Sequence, residues 1–157
     1  MPRVLIVDDY YDASAIVAEF LASYEFECTC ALSGPEAIER MRSEPFDLML
    51  LDVSMPGMSG LDLLREIRQN FTLSELPVVM VTGRDAAAEV VGALEAGAND
   101  YVTKPIDLPV LLARIRTQWA LLQLARLKDE FLRIASHDLK NPLTTILGGA
   151  EVLVEYF

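Results

Sequence analysis

Five polar residues stand where apolar runs stop: Asp8 and Asp9 after Val4-Leu5-Ile6-Val7, Asp52 after Leu48-Met49-Leu50-Leu51, Thr82 after Val78-Val79-Met80-Val81, and Lys104 after Tyr101-Val102-Thr103. Carboxylates, a hydroxyl and an ammonium together make a set suited to phosphoryl chemistry. Hard oxygen ligands of this kind suit Mg2+, which keeps several waters and takes one or two carboxylates plus a phosphate. In that chemistry Asp52 is the nucleophile that becomes an aspartyl phosphate. The cation, Lys104 and the Thr82 hydroxyl stabilise charge on the group in transfer, and Gly83 leaves room for its oxygens. Taken singly, each residue also reads as a strand-end cap or a surface charge. Asp52, followed by Val53-Ser54-Met55-Pro56-Gly57, has the form of an ordinary Asp-capped turn. The chemical reading rests on all five sharing one rim.

A shared rim demands a particular fold. Short continuous apolar runs bounded by turn residues read as strands buried on both faces, as in a parallel sheet flanked by helices. Strands are expected at residues 3–7, 26–31, 48–52, 77–81 and 100–103. Between them fall helices at about 12–24, 34–42, 61–71 and 85–96, with Ile16, Val17, Phe20, Leu21 and Tyr24 sharing one face of the first. Ser33-Gly34-Pro35-Glu36 has the form of a capping box with an early Pro, and Gly97 that of a glycine closing a helix. Strict βα alternation implies a parallel sheet with right-handed crossovers, and the fold expected is a doubly wound, flavodoxin-like (βα)5 sheet of order 2-1-3-4-5. That order makes the first and third strands neighbours at the topological switch point, where ligands bind.

These motifs resemble the receiver domain of two-component response regulators. The likeness lies in Val4-Leu5-Ile6-Val7-Asp8-Asp9, the Asp52 stretch with Met55-Pro56 and Gly60, Val81-Thr82-Gly83 and Tyr101-Val102-Thr103-Lys104-Pro105, and covers about residues 1–122. The resemblance implies Mg2+ at Asp9 and Asp52, with Asp8 acting through water and the backbone carbonyl of Ser54 as a further ligand. It makes Asp52 the phosphoacceptor, Thr82 and Tyr101 a switch pair, and the Lys104-Pro105 bond cis. Ser59 stands where the family frequently has Asp, and Tyr10 follows the acidic pair where a polar residue is common.

Past the fifth strand, Asp107 is a natural N-cap with Pro109 in the first turn, and no Gly or Pro then interrupts the chain before Pro142. One continuous helix is expected through 107–135 and on to the end, about 50 residues or roughly 75 Å at ~1.5 Å each. Leu108, Leu111, Leu112 and Ile115 suit the sheet. Trp119, Leu122, Leu124, Leu127 and Phe131 continue an apolar side, and Leu132, Ala135, Leu139, Leu143, Ile146, Ala150 and Leu153 form a stripe that predicts pairing with a second helix, most simply in a homodimer. His137, the single histidine, falls nearly opposite that stripe and faces solvent. The segment Phe131-Leu132-Arg133-Ile134-Ala135-Ser136-His137-Asp138-Leu139-Lys140-Asn141-Pro142-Leu143 resembles the H-box of sensor histidine kinases, over about residues 126–157. The resemblance implies that His137 is a phosphoacceptor, that Asp138 orients or deprotonates its imidazole, and that Asn141 assists removal of phosphate from a partner receiver. Pro142 should kink the helix, and Gly148-Gly149 should weaken it. The family's second hairpin helix and ATP-binding domain have no counterpart in these residues, so the expectation is the front end of a hybrid kinase. A cognate histidine kinase or phosphotransfer protein would be its partner.

A net charge of −11 over 157 residues argues against nucleic acid, because each neutralised phosphate needs a Lys or Arg. No apolar run approaches the roughly 20 residues that span a bilayer, so no membrane contact and a cytoplasmic location are expected. Cys28 and Cys30 read as core thiols. A flavin-binding relative of the same fold would need a phosphate-cradling loop after the first strand, and Asp8-Asp9-Tyr10-Tyr11 has the opposite charge. The remaining alternative is a stand-alone regulator whose tail only dimerises or binds a partner.

Overall fold

The computed structural model describes residues 1–83 and 86–156, with side chains described up to residue 140. The elements are β1 (Arg3–Val7), α1 (Tyr11–Ala22), β2 (Glu27–Ala31), α2 (Gly34–Ser43), β3 (Leu48–Asp52), α3 (Gly60–Arg68), β4 (Val78–Thr82), α4 (Ala87–Glu95), β5 (Asp100–Thr103) and α5 (Leu108–Tyr156). All five strands run parallel in the order β2-β1-β3-β4-β5, the expected doubly wound topology. The chain divides into two compact units, Met1–Leu122 and Gln123–Phe157.

Within the first unit the pleat sorts side chains onto two faces. Val4, Ile6, Leu48, Leu50, Val79 and Val81 pack with α1 and with Leu111, Leu112 and Ile115 of α5. Leu5, Val7, Met49, Leu51, Val78 and Met80 pack instead with α2, α3 and Ala93 of α4. Every residue of β3 and β4 is buried, as expected of central parallel strands covered on both sides.

Local signals were partly rearranged by packing. Val17 and Leu21 of α1 are buried, but Ile16 and Tyr24 are exposed, so the buried stripe of that helix is narrower than its apolar composition suggests. Ser33 does cap α2 by accepting from the Glu36 amide, yet the Glu36 carboxylate accepts from the Leu32 amide, so the box is not closed. The complete capping box sits at α3, where Ser59 and Asp62 exchange side chain and amide. A serine at position 59 is therefore competent as a cap. Phe71 lies beyond α3, and Asp85, expected near the start of α4, lies outside the described residues. Cys28 and Cys30 are free thiols and only half-buried, on the edge strand β2. Burial raises both thiol pKa values, that of Cys28 to about 12, so neither is poised as a thiolate.

After β3 the chain must turn tightly and return. Gly57 has φ +75°, in the left-handed region that glycine enters without steric cost. Gly60 is required by proximity: its amide donates to Val53 O at 2.9 Å, and a Cβ there would overlap the Asp52 carbonyl oxygen and lie 2.8 Å from Val53 Cα. Backbone cannot yield as a side-chain tip can. Gly60→Ala is expected to cost about 2–3 kcal/mol in a urea melt. Gly34→Ala, whose Cβ would meet only the flexible Met58 side chain, should cost well under half of that.

In the second unit α5 is continuous. Leu124, Leu127, Phe131, Leu132 and Leu139 are exposed and Ala135 is half-buried, so the single chain leaves the described part of the apolar side uncovered.

Candidate functional site

Strand register sets the height of each functional residue. Val7 pairs with Leu51, so Asp8 and Asp52 follow at the same level on neighbouring strands. Asp52 pairs with Val81, and Thr82 with Thr103, which puts Thr82 one step and Lys104 two steps farther along the same rim. Carboxylate oxygens of Asp8, Asp9 and Asp52 come within 4.8 Å of one another.

Asp52 is only 2% exposed, and both of its carboxylate oxygens are engaged. Oδ2 accepts from Lys104 Nζ at 2.8 Å, and Oδ1 accepts from the Ser54 amide at 3.1 Å. Asp8 is 9% exposed and its Oδ1 accepts from the Tyr10 amide at 2.9 Å. Burial pushes the Asp8 carboxyl above its usual range, and the neighbouring Asp52 charge adds to this, against the opposing pull of the Tyr10 amide and Lys104. Burial alone would lower the Lys104 ammonium. The hydrogen bond and charge of Asp52, with Asp8 and Asp9 behind it, reverse that and raise its pKa.

Three clustered carboxylates against one ammonium leave excess negative charge in a half-closed site. An all-oxygen donor set that crowds its own charges fits a small, hard divalent cation. The cleft beside it holds about 460 Å3. Asp8, Asp9, Asp52, Ser54 and Lys104 form its polar end, while Tyr10, Ile16, Pro105, Ile106 and Leu108 form an apolar flank. That flank escaped the sequence, where Ile16 counted as core and Ile106 had no periodic signal.

Thr82 lies on the other side of the pleat from Asp52. Its fully buried hydroxyl donates to Val102 O at 3.4 Å. Tyr101 is half-buried and packs on the same α4-side cluster, and the Lys104-Pro105 bond is cis, as expected. A further contact was invisible in the sequence: the Gly83 amide donates to Glu89 Oε2 at 3.1 Å.

On α5, His137 and Asp138 are each 74% exposed, with His137 Nδ1 3.6 Å from Asp138 Oδ1. The imidazole therefore stands in solvent within the second unit, as do Leu132 and Leu139 beside it. The side chain of Asn141 lies outside the described residues, as do those of Pro142 and the remainder of the stripe.

Comparison with known proteins agrees with this geometry. Residues 127–156 match the His Kinase A (phospho-acceptor) domain, directly behind a match of residues 4–116 to the response regulator receiver domain. The transcriptional regulatory protein CrdR of Helicobacter pylori is 40% identical over 114 residues, covering 73% of this chain and 53% of the relative. The sensory transduction protein RegX3 of Mycolicibacterium smegmatis is 42% identical over 116 residues, covering 74% and 50%. The chain thus spans about half the length of these curated relatives. Among solved structures, a CheY-like receiver domain protein from Methanospirillum hungatei superposes with a TM-score of 0.74 at 28% identity, over 80% of this chain and 98% of that one. A receiver followed by a phosphoacceptor region is an arrangement of two-component phosphorelay signalling. With most of its length matched, and with its acids, hydroxyl and ammonium on the rim of that fold, the chain belongs to the response regulator receiver domain family.

Proposed function

We propose that Asp52 accepts a phosphoryl group in a Mg2+-dependent reaction, and that its phosphorylation modulates the attached segment carrying His137. The observation that carries this reading is the Asp52 carboxylate, buried at a strand end and held 2.8 Å from Lys104 Nζ beside two further acids.

Asp8, Asp9 and Asp52, with the Ser54 backbone carbonyl, would hold the cation, which when bound supplies positive charge to the phosphoryl oxygens. Asp52 supplies the attacking oxygen. When the donor is a phosphohistidine, the new bond joins an Asp52 oxygen to phosphorus, the phosphorus–nitrogen bond breaks, and the released imidazole takes up a proton. Lys104 follows the charge from the carboxylate onto the phosphoryl group. Thr82, drawn from Val102 O, and Tyr101, on the same face, act as the switch pair that reports the change.

The donor is a cognate histidine kinase or phosphotransfer protein, in keeping with the exposed apolar flank beside the acids. His137 is the phosphoacceptor of the second unit, Asp138 its neighbouring acid, and Asn141 the residue that assists phosphate removal. Leu124, Leu127, Phe131 and Leu139, uncovered in one chain, support a homodimer through α5. Among the described residues no helix is long and apolar enough to cross a membrane, and we place the exchange in the cytoplasm.

Acetyl phosphate with Mg2+ tests the central step, since acetate then replaces imidazole as the leaving group. Intact mass and peptide mapping should find one phosphate per chain on the peptide containing Asp52. Asp52→Asn or added EDTA should abolish it; a phosphate that survives in Asp52→Asn would overturn the assignment.

A further inference from the structure

The contact between Gly83 and Glu89 lies outside the acid cluster and the switch pair. Val81 O accepts from the Val53 amide of the β3 side, and Thr82 O accepts from the Lys104 amide of the β5 side. Backbone groups of successive extended residues point to opposite sides, so the Gly83 N–H, at the exit of β4, is directed to the β3 side, where Asp52 stands. It is a donor on the rim that receives the phosphoryl group, and it is already taken by a carboxylate oxygen of Glu89 at 3.1 Å. Glu89 lies in the first turn of α4, whose N-cap residue Ala86 offers no side-chain cap. Nothing but backbone and this one carboxylate ties that end of α4 to the tip of β4 among the hydrogen bonds of the described residues.

We propose that Glu89 is a positioning residue that competes, as an internal anion, with the phosphoryl group on Asp52 for the Gly83 amide. The inference rests on Asp52 being the phosphoacceptor and adds a regulation of that site. An N–H that holds one carboxylate oxygen is a fitting donor for a phosphoryl oxygen, and it cannot serve both fully. In the unphosphorylated chain Glu89 satisfies the amide and links α4 to the strand tip. Once a phosphoryl oxygen claims the amide, Glu89 is released by loss of its donor and by repulsion from the new negative charge. The same competition lowers the affinity of the site for the phosphoryl group.

Side-chain length separates this device from a general charge effect. Glu89→Ala removes both the acceptor and the charge. Glu89→Gln keeps an acceptor of the same reach without the charge, and Glu89→Asp keeps the charge on a stem one methylene shorter. Binding of beryllofluoride with Mg2+ to the full chain, read by calorimetry, should tighten about fivefold in Glu89→Ala, the scale of one displaced charge-assisted hydrogen bond. Glu89→Asp should match Glu89→Ala, and Glu89→Gln should fall between these and the wild type. The exposed Glu95→Gln, on the same helix, should leave the affinity unchanged. In 15N-labelled protein the Gly83 amide resonance should move on beryllofluoride binding, and should already be displaced in unliganded Glu89→Ala.

Equal affinities across all variants would overturn the proposal. So would Glu89→Asp behaving as wild type while Ala and Gln tighten alike, because charge alone would then be responsible. Wild-type protein that binds no beryllofluoride would instead remove the phosphoacceptor reading itself, and this inference with it. Thermal melts of each variant identify any that fail to fold.

Discussion

Replacing Lys104 with methionine is expected to slow phosphate incorporation from acetyl phosphate about a hundredfold, the usual effect of removing one preorganised charged donor from the reacting oxygens. Methionine keeps most of the apolar stem and discards the ammonium that sits 2.8 Å from Asp52 Oδ2. The loss acts twice. Charge moving from the carboxylate to the phosphoryl oxygens no longer meets a fixed cation, and Asp52, 2% exposed beside two further acids, loses its ion-pair partner from the chain. A broken buried pair can cost about 3 kcal/mol, but Lys104 itself is 42% exposed, so screening should reduce the loss of stability to about 1 kcal/mol. Added Mg2+ should recover the stability, since a cation can neutralise the acids, but not the rate. Time-resolved intact mass and parallel thermal melts measure both. A wild-type rate in Lys104→Met would show that the ammonium is only a surface partner of Asp52.

Arg68→Met is expected to destabilise the first unit by about 3 kcal/mol, or roughly 10 °C in melting temperature, without touching the chemistry at the rim. The guanidinium of Arg68 is a strut at the opposite ends of β4 and β5. Its Nε donates to Gly97 O at 2.7 Å, Nη1 to Leu76 O at 2.8 Å and Thr72 O at 3.1 Å, and Nη2 to Asn99 Oδ1 at 2.8 Å. Asn99 in turn accepts from the Val78 amide at 2.9 Å and donates to Leu73 O at 2.8 Å. One side chain therefore joins the end of α3, the entry to β4 and the turn between α4 and β5. Burial, with no carboxylate among these partners to offset it, lowers the guanidinium pKa. Methionine would leave those carbonyls short of a donor in a half-buried position. Arg65→Met is the control, because Arg65 is exposed and makes a 3.5 Å pair with Asp62 one turn away, a contact worth a few tenths of a kcal/mol. Chemical denaturation of both variants should separate them clearly, and equal melts would mean that the network carries no stability.

By itself the sequence determined the parallel strands and the identity of the rim residues. Fully apolar strands such as β3 and β4 announce burial on both faces, and βα alternation implies parallel strands whose carboxyl ends share one edge, so Asp8, Asp52, Thr82 and Lys104 had to gather there. These are consequences of local pattern and chain connectivity. Tertiary structure alone decided what each residue touches at that edge. The pleat put Thr82 on the α4 side and Asp52 on the α1 side, a matter of parity that one-residue uncertainty in a strand end conceals. Ile16 shares an apolar helix face with Val17 and Leu21, yet only Val17 and Leu21 of these are buried, because the width of the buried stripe depends on what packs against it. The partners of Glu89 and Arg68 came only with the tertiary structure, since a hydrogen bond to a backbone amide or carbonyl of another segment leaves no signature in residue type or spacing.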